Sequence, residues 1–482
     1  MHVTRAVSIA LAVSMALCVV RTSSLAGEGP GPTSKLEREF DGTVAKLIAE
    51  REAIPEGENA AADYAWAFDA LPPDDLDTSW AISAMPGALR ECPGAIDEVR
   101  KYREAVTVHL RCATSKKRCM FDIKWRDGPA MLMPHLAKCR DLARRASVYG
   151  KFLELEGRSA EAARVYLDII RMGLHLEQDR TLISVLVGIA VVGIAGPPVE
   201  GLLARGPDAQ TARLVLEGLR DLPRDRFNAA RAIDCERITG VGALRQAMNP
   251  ATGKTKLVET LKSLDPLLGK RDEGGRKPLR IPEDPAEIRR EIEDAFETCD
   301  RQMKQIVRLM RRPYHETGRD VANLEKTMVS YWDGQVAEGR FAAALVSCTM
   351  GIYSTFQVGT VRGTARLRGL EILAAASLAK TEDGAYPKDL AGLARFFRGG
   401  VPADPVMGKR FRYWLAEGLP AVEGHADDQK LRKTRPQTYH FGLAYRLKLE
   451  KYNLERWRAE RKRRAKEDAA LDEQEADPDN VW

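Results

Sequence analysis

Several things that would announce a function are scarce or missing in this sequence. Aromatic residues are only 6% of its 482 positions, while Ala, Leu, Glu and Arg are abundant, a balance that favours helix. No excess of one charge is present: 75 Lys and Arg face 69 Asp and Glu. Nucleic acid, whose binding leans on clustered basic charge, is therefore not the expected partner. A phosphate loop is missing too. "NPATGKTK" carries Gly253, Lys254 and Thr255, but the first glycine of such a loop would fall at Met248, and no apolar strand leads in.

No internal apolar run reaches the length of a membrane span. "TLISVLVGIAVVGIAGPP", Thr181 to Pro198, is bounded by Arg180 and the proline pair, which leaves about 15 residues where about 18 or more are needed. It reads as a central buried helix, with Gly188 and Gly193 allowing close helix approach. Paired catalytic carboxylates are not evident either. Asp234 and Glu236, two residues apart, point to different helix faces. His315 and Glu316 read as a surface pair in a loop.

The N-terminus reads as a targeting signal. Arg5 precedes the apolar stretch Ala6 to Val20, and small Ser24 and Ala26 stand where a signal peptidase reads, so residues 1–26 are assigned as a signal peptide cleaved after Ala26. Export into the periplasm, envelope or extracellular space is the expectation. Loss of Arg5 and Arg21 leaves 73 basic against 69 acidic residues, a net +4. Without Cys18, seven cysteines remain, an odd number that leaves at least one thiol unpaired within the chain. Cys112, Cys119, His135 and Cys139 could be read as zinc ligands. The six residues between Cys112 and Cys119 exceed the two to four usual in compact sites. A Cys112–Cys119 disulfide and ordinary buried thiols are the other readings, and neither a metal nor a cofactor is assigned.

What is present is mostly helical periodicity. "GENAAADYAWAFDAL" places Ala61, Tyr64, Ala65 and Phe68 on one apolar face. "LARRASVYGKFLELEGRSAEAARVYLDIIRMG", Leu142 to Gly173, reads as a helical hairpin: Gly157 suits a left-handed C-cap, Ser159 an N-cap and Glu161 the first turn of the second helix. Residues 250–283 are rich in Lys, Gly and Pro and read as a linker or surface loop. Asp284, Pro285 and Glu287 then start a helix expected to reach about Arg312. "GAYPKDLAGLARFFRGGVPADPVMGKRFRYW" follows a helix expected over Ala365 to Gly384. Its turn residues Asp404, Pro405 and Gly408 should set "RFRYWLA" as a strand, with "QTYHFGLAYR" as its antiparallel partner.

Two resemblances rest on these residues. Gly150, Leu153, Gly157, Ala162, Tyr166 and Ile169 resemble one tetratricopeptide unit, which implies peptide or protein binding near Tyr149, Leu153 and Tyr166. About three repeats support a solenoid alone, so a single hairpin within a larger helical domain is expected. The later order of helix, "YPxxLxxL", "PxDPxxGxxxxY" and strands resembles the C-terminal part of type II secretion pseudopilins. This implies a structural module around Tyr386, Pro387, Asp404, Pro405, Gly408 and Tyr413. The pseudopilin processing site is absent, and only Asp427 and Asp428 stand where major pseudopilins carry a calcium loop. Segments such as "GENAAADY" and "LEGRSAEAARVY" also resemble those of uncharacterised exported helical proteins.

The expected fold is mostly α, a multi-helix domain with helical hairpins plus a small C-terminal helix and β-hairpin module. Its parts are an N-terminal helical domain at 27–249, the linker, long helices at 284–364, the module at 365–446 and a charged helical tail at 447–482. A protein-interaction or scaffold role is expected, with a protein or peptide partner and membrane association only weak or peripheral; the basic stripe of Arg456, Arg463 and Lys466 could touch anionic lipid or cell-wall polymer. A component of an envelope or secretion assembly is one alternative. The other is an enzyme whose site forms only if folding joins His135, Cys139 and acids in one pocket.

Overall fold

A computed structural model describes residues 35–73, 85–92, 94–223, 226–247, 277–347, 353–424 and 440–475. The expected signal segment, the stretch 249–256, most of 250–283, Cys348 and the pair Asp427 and Asp428 lie outside the described residues. The fold is mostly α, with one small antiparallel sheet near the C-terminus.

The first half begins with α1 (Lys35–Glu52) and α2 (Ala60–Asp69). Asn59 caps α2 by accepting from the Ala61 N–H, and it also bonds both main-chain groups of Met120. The buried face of α2 is Ala60, Asp63, Tyr64 and Ala67, with the expected Ala61 and Phe68 half-buried beside it, while Ala65 is exposed. Asp63 tolerates burial because Lys116 pairs with it. A short α3 (Ala95–Arg100) and a π-helical turn (Ala105–Leu110) lead into α4 (Arg111–Ser115).

The expected hairpin is α5 (Pro134–Leu155) and α6 (Ser159–Leu176). Gly157 closes α5 at φ +76°, with the Arg158 N–H bonded to the Leu153 carbonyl at 2.8 Å and the Gly157 N–H to Glu154 at 3.0 Å. These two bonds satisfy the last carbonyls of α5 in a Schellman turn. Ser159 is not the N-cap. That position belongs to Arg158, which instead forms a two-pronged ion pair with Glu161. Gly150 is bare because a Cβ there would stand 2.3 Å from the Tyr166 ring.

The next helix, α7 (Leu182–Ala204), continues through Pro197 and Pro198 instead of ending at them. The prolines remove two N–H donors, yet α7 is held by five helices packed around it, α5, α6 and four-turn or longer partners further along the chain. By length and composition it could cross a bilayer; here it is the central helix. Gly188 meets Gly173 of α6 so closely that a Cβ on either would stand under 3 Å from the other's carbonyl oxygen. Gly193 has open space instead. Phe227, at φ +60°, is fixed by N–H bonds from Phe227 and Asn228 to the Glu177 carboxylate, and its ring fills the space left by Gly188 and Gly363.

Then come α8 (Ala209–Arg220), α9 (Ala229–Ala247), α10 (Pro285–Met310), α11 (Tyr314–Ala337), α12 (Phe341–Ser347) and α13 (Tyr353–Asp383). Asp284 caps α10 as expected, accepting from Ala286. His315 and Glu316 lie in the first turn of α11, not in a loop. α13 is far longer than expected, and Gly384 ends it at φ +78°.

The module places β1 (Arg412–Ala416) against β2 (Leu419–Glu423), and β3 (His440–Gly442) on the other edge of β2. The strand from "QTYHFGLAYR" therefore pairs with β2, not with β1. Glu417 and Gly418 both take positive φ, the geometry of a tight primed hairpin turn. α14 (Leu443–Glu475) follows. Asp404 is fully buried and accepts from the Val406 N–H, while its main chain bonds Lys409 and Gly408. Tyr386, Leu390 and Tyr413 are half-buried against buried Leu393 and Phe411. These side chains join the same continuous core that begins at Phe40.

Candidate functional site

Tyr149, Leu153 and Tyr166 do not form an interaction groove: all three are core residues, covered where α5, α6 and α7 pack. Tyr166 spends its hydroxyl internally, donating to Glu154 at 2.6 Å. The module residues also serve the fold, since the Tyr413 hydroxyl donates to the Pro387 carbonyl at 3.0 Å and Lys380 lies over the Tyr386 ring. Pro405 is half-buried in the turn after Asp404. Gly408, at φ +67°, leaves room for the His315 ring.

The residues named for possible chemistry do converge in part. His135 stacks on Phe121 with ring centroids 4.0 Å apart, and its Nε2 lies 2.9 Å from Asp179 Oδ2. Ser184 Oγ lies 3.5 Å from the same carboxylate oxygen. The carboxylate thus stands between serine and imidazole, so the imidazole is not placed to take the serine proton as in a catalytic triad. Ser184 is instead part of the α7 start, where Thr181 accepts its N–H. Burial pushes the Cys119 and Cys139 thiols well above the ordinary range, which keeps both protonated and poor as nucleophiles or ligands. Among the described residues no three His, Cys, Asp or Glu side chains converge as metal ligands, and six cysteines are free thiols. Nearby, Tyr64 and His175 Nδ1 are 2.8 Å apart, and burial lowers the His175 pKa to about 4.

The open site is elsewhere. Two adjacent helices carry the same spacing, arginine, an acid four residues on and arginine three further: Arg164, Asp168 and Arg171 on α6, and Arg213, Glu217 and Arg220 on α8. At i, i+4 and i+7 each set lies on one helix face. A groove of about 560 Å³ opens along α6 and α8, with Arg111 of α4 at its edge. Its floor is Leu167, Leu214 and Gly218, and the glycine is required because a Cβ there would stand 2.4 Å from Leu167. Burial raises the Asp168 pKa, but its carboxylate is satisfied by Arg111 Nε at 2.6 Å and Thr114 at 2.8 Å.

A second depression of about 240 Å³ lies on the other side of α8 and shares Arg213 and Glu217 with the first. Arg220, Arg395 and Arg398 line it, with Leu378 and Phe396 between them. Arg213 and Arg395 both pair with Glu382, whereas Arg164, Arg220 and Arg398 make no ion pair with a described residue. The two depressions together are lined by seven arginines against four acids, the buried Asp168 and Glu217, Asp221 and Glu382. None of these arginines was singled out in the sequence, although the repeated spacing was there to be found. The chain matches no protein-family model, no curated protein and no solved structure.

Proposed function

We propose that this is an exported helical protein whose role is to bind another protein, with the arginine-lined surface of α6 and α8 as the contact. The observation that carries the reading is the matched arginine and acid spacing on two neighbouring helices around an open, apolar-floored groove. Arginine forks recognise carboxylates in a fixed geometry, and an apolar floor adds burial, which together suit recognition better than chemistry. The fit of Gly150 to Tyr166 supports the tetratricopeptide-like reading of the hairpin. Arg5, the apolar stretch to Val20 and small Ser24 and Ala26 support export. Comparative capture from envelope extract tests it. Wild type should retain proteins that Arg164→Glu/Arg171→Glu loses, and identical retention by both would remove the groove from the account.

A further inference from the structure

We infer that the groove between α6 and α8 takes an extended acidic peptide segment, in which carboxylate side chains alternate with apolar ones. This rests on the interaction reading and goes further by fixing the chemistry of the partner.

Charge is the first ground. The arginines outnumber the acids, and Asp168 is already paired with Arg111, hydrogen-bonded by Thr114 and 3.7 Å from Arg171. Arg164 makes no ion pair with a described residue and stands ready to take a carboxylate. All the basic lining residues are arginine, which binds carboxylates in two-pronged fashion, where lysine would offer a point charge.

Shape and mixture decide between anions. Leu167 and Leu214 give the groove an apolar strip, which a polyphosphate or sulfated sugar would leave unfilled but a leucine-type side chain would cover. Glu217 and Asp221 lie among the arginines. They would repel any anionic group that meets them, but they can accept from main-chain N–H groups of a peptide, donors that a polyphosphate lacks. The second depression, meeting the first at Arg213 and Glu217, extends the same arginine and apolar mixture with Arg398 and Phe396.

The test uses the full chain and a short fluorescein-labelled peptide repeating Glu-Leu, read by anisotropy, with a Gln-Leu peptide as control. The expected result is binding of the acidic peptide alone, weakened by salt and weakened roughly tenfold or more in Arg164→Glu/Arg171→Glu. Arg140→Glu, on the exposed face of α5, should bind as wild type. The milder Arg164→Gln/Arg171→Gln variant, checked for an unchanged helical melt, guards against loss through misfolding and should lose a smaller factor. Equal binding by the groove variants would overturn the inference, as would displacement of the peptide by inorganic phosphate or anionic lipid vesicles at matched charge. If no peptide binds while extract proteins are still retained through the groove, the peptide chemistry is wrong and the interaction reading stands. If neither is seen, both fall.

Discussion

Glycine has opposite consequences at neighbouring places in this fold, and substitutions should separate them. Gly157 needs positive φ but has open space around its Cβ position. Gly157→Val should therefore cost about 1–2 kcal/mol through backbone strain alone. Gly188→Ala collides with the Gly173 carbonyl and should cost about 1–3 kcal/mol. Gly193→Ala, in the same helix with nothing within 4 Å, should stabilise by about 0.5–1 kcal/mol. Denaturant midpoints of the three variants check the order. His175 makes a second prediction at this scale. Its folded pKa is about 4 against 6.5 when exposed, because burial disfavours the charged ring. The unfolded chain then takes up a proton that the folded one refuses. Its contribution is complete above pH 6.5 and is lost as pH falls towards 4, about 3 kcal/mol in all. His175→Gln should flatten that part of the stability profile; an unchanged slope between pH 6.5 and 4 would show that the ring is not held neutral.

α14 is attached through buried charge as well as through Leu443, Ala444 and Leu454. Arg446 Nε lies 2.9 Å from Glu200 of α7, and Glu450 is shared between Arg205 at 2.9 Å and Lys151 at 3.7 Å. Glu154 completes the set through Arg205 at 2.7 Å. Gly201 is bare where a Cβ would stand 2.4 Å from a Glu450 oxygen, so α7 leaves room for the carboxylate. Burial lowers the Lys151 pKa, which marks the cost that Glu450 offsets. Glu450→Ala should remove the carboxylate that Lys151 and Arg205 share in the interior and cost about 3–5 kcal/mol. Replacing exposed Arg458, which pairs with Glu91, should leave the unfolding midpoint nearly unchanged. Such a docked helix was not legible in the sequence, where the stretch reads as a solvated tail. Its partners are about 245 positions away, and nothing local in a charged helix says which of its charges will be buried. The α5–α6 hairpin was legible because its signals are local: a glycine at the turn and small residues opposite large ones. The module fell between. Its turn residues were correctly placed, but β2 was missed because Pro420 and the short "LPAVE" run weaken the strand pattern.

Across the whole molecule, the buried residues from α1 to the start of α14 form one continuous cluster. The N-terminal helices and the C-terminal module thus share a core. That continuity also places the functional surface. α8 packs on α6 and on α13, and this packing brings the arginines of α6, those of α8 and Arg395 and Arg398 of the module to one side. Helix spacing gave each arginine set its face; only the packing of α8 between α6 and α13 made them one surface. The most direct measurement is photo-crosslinking in cells, with a photoreactive residue at Leu214 in the groove and, as comparison, at exposed Tyr331 on α11. The account predicts a discrete crosslinked protein from position 214, abolished by Arg164→Glu/Arg171→Glu and absent from position 331. No specific product at 214, or the same product from both positions, would contradict it.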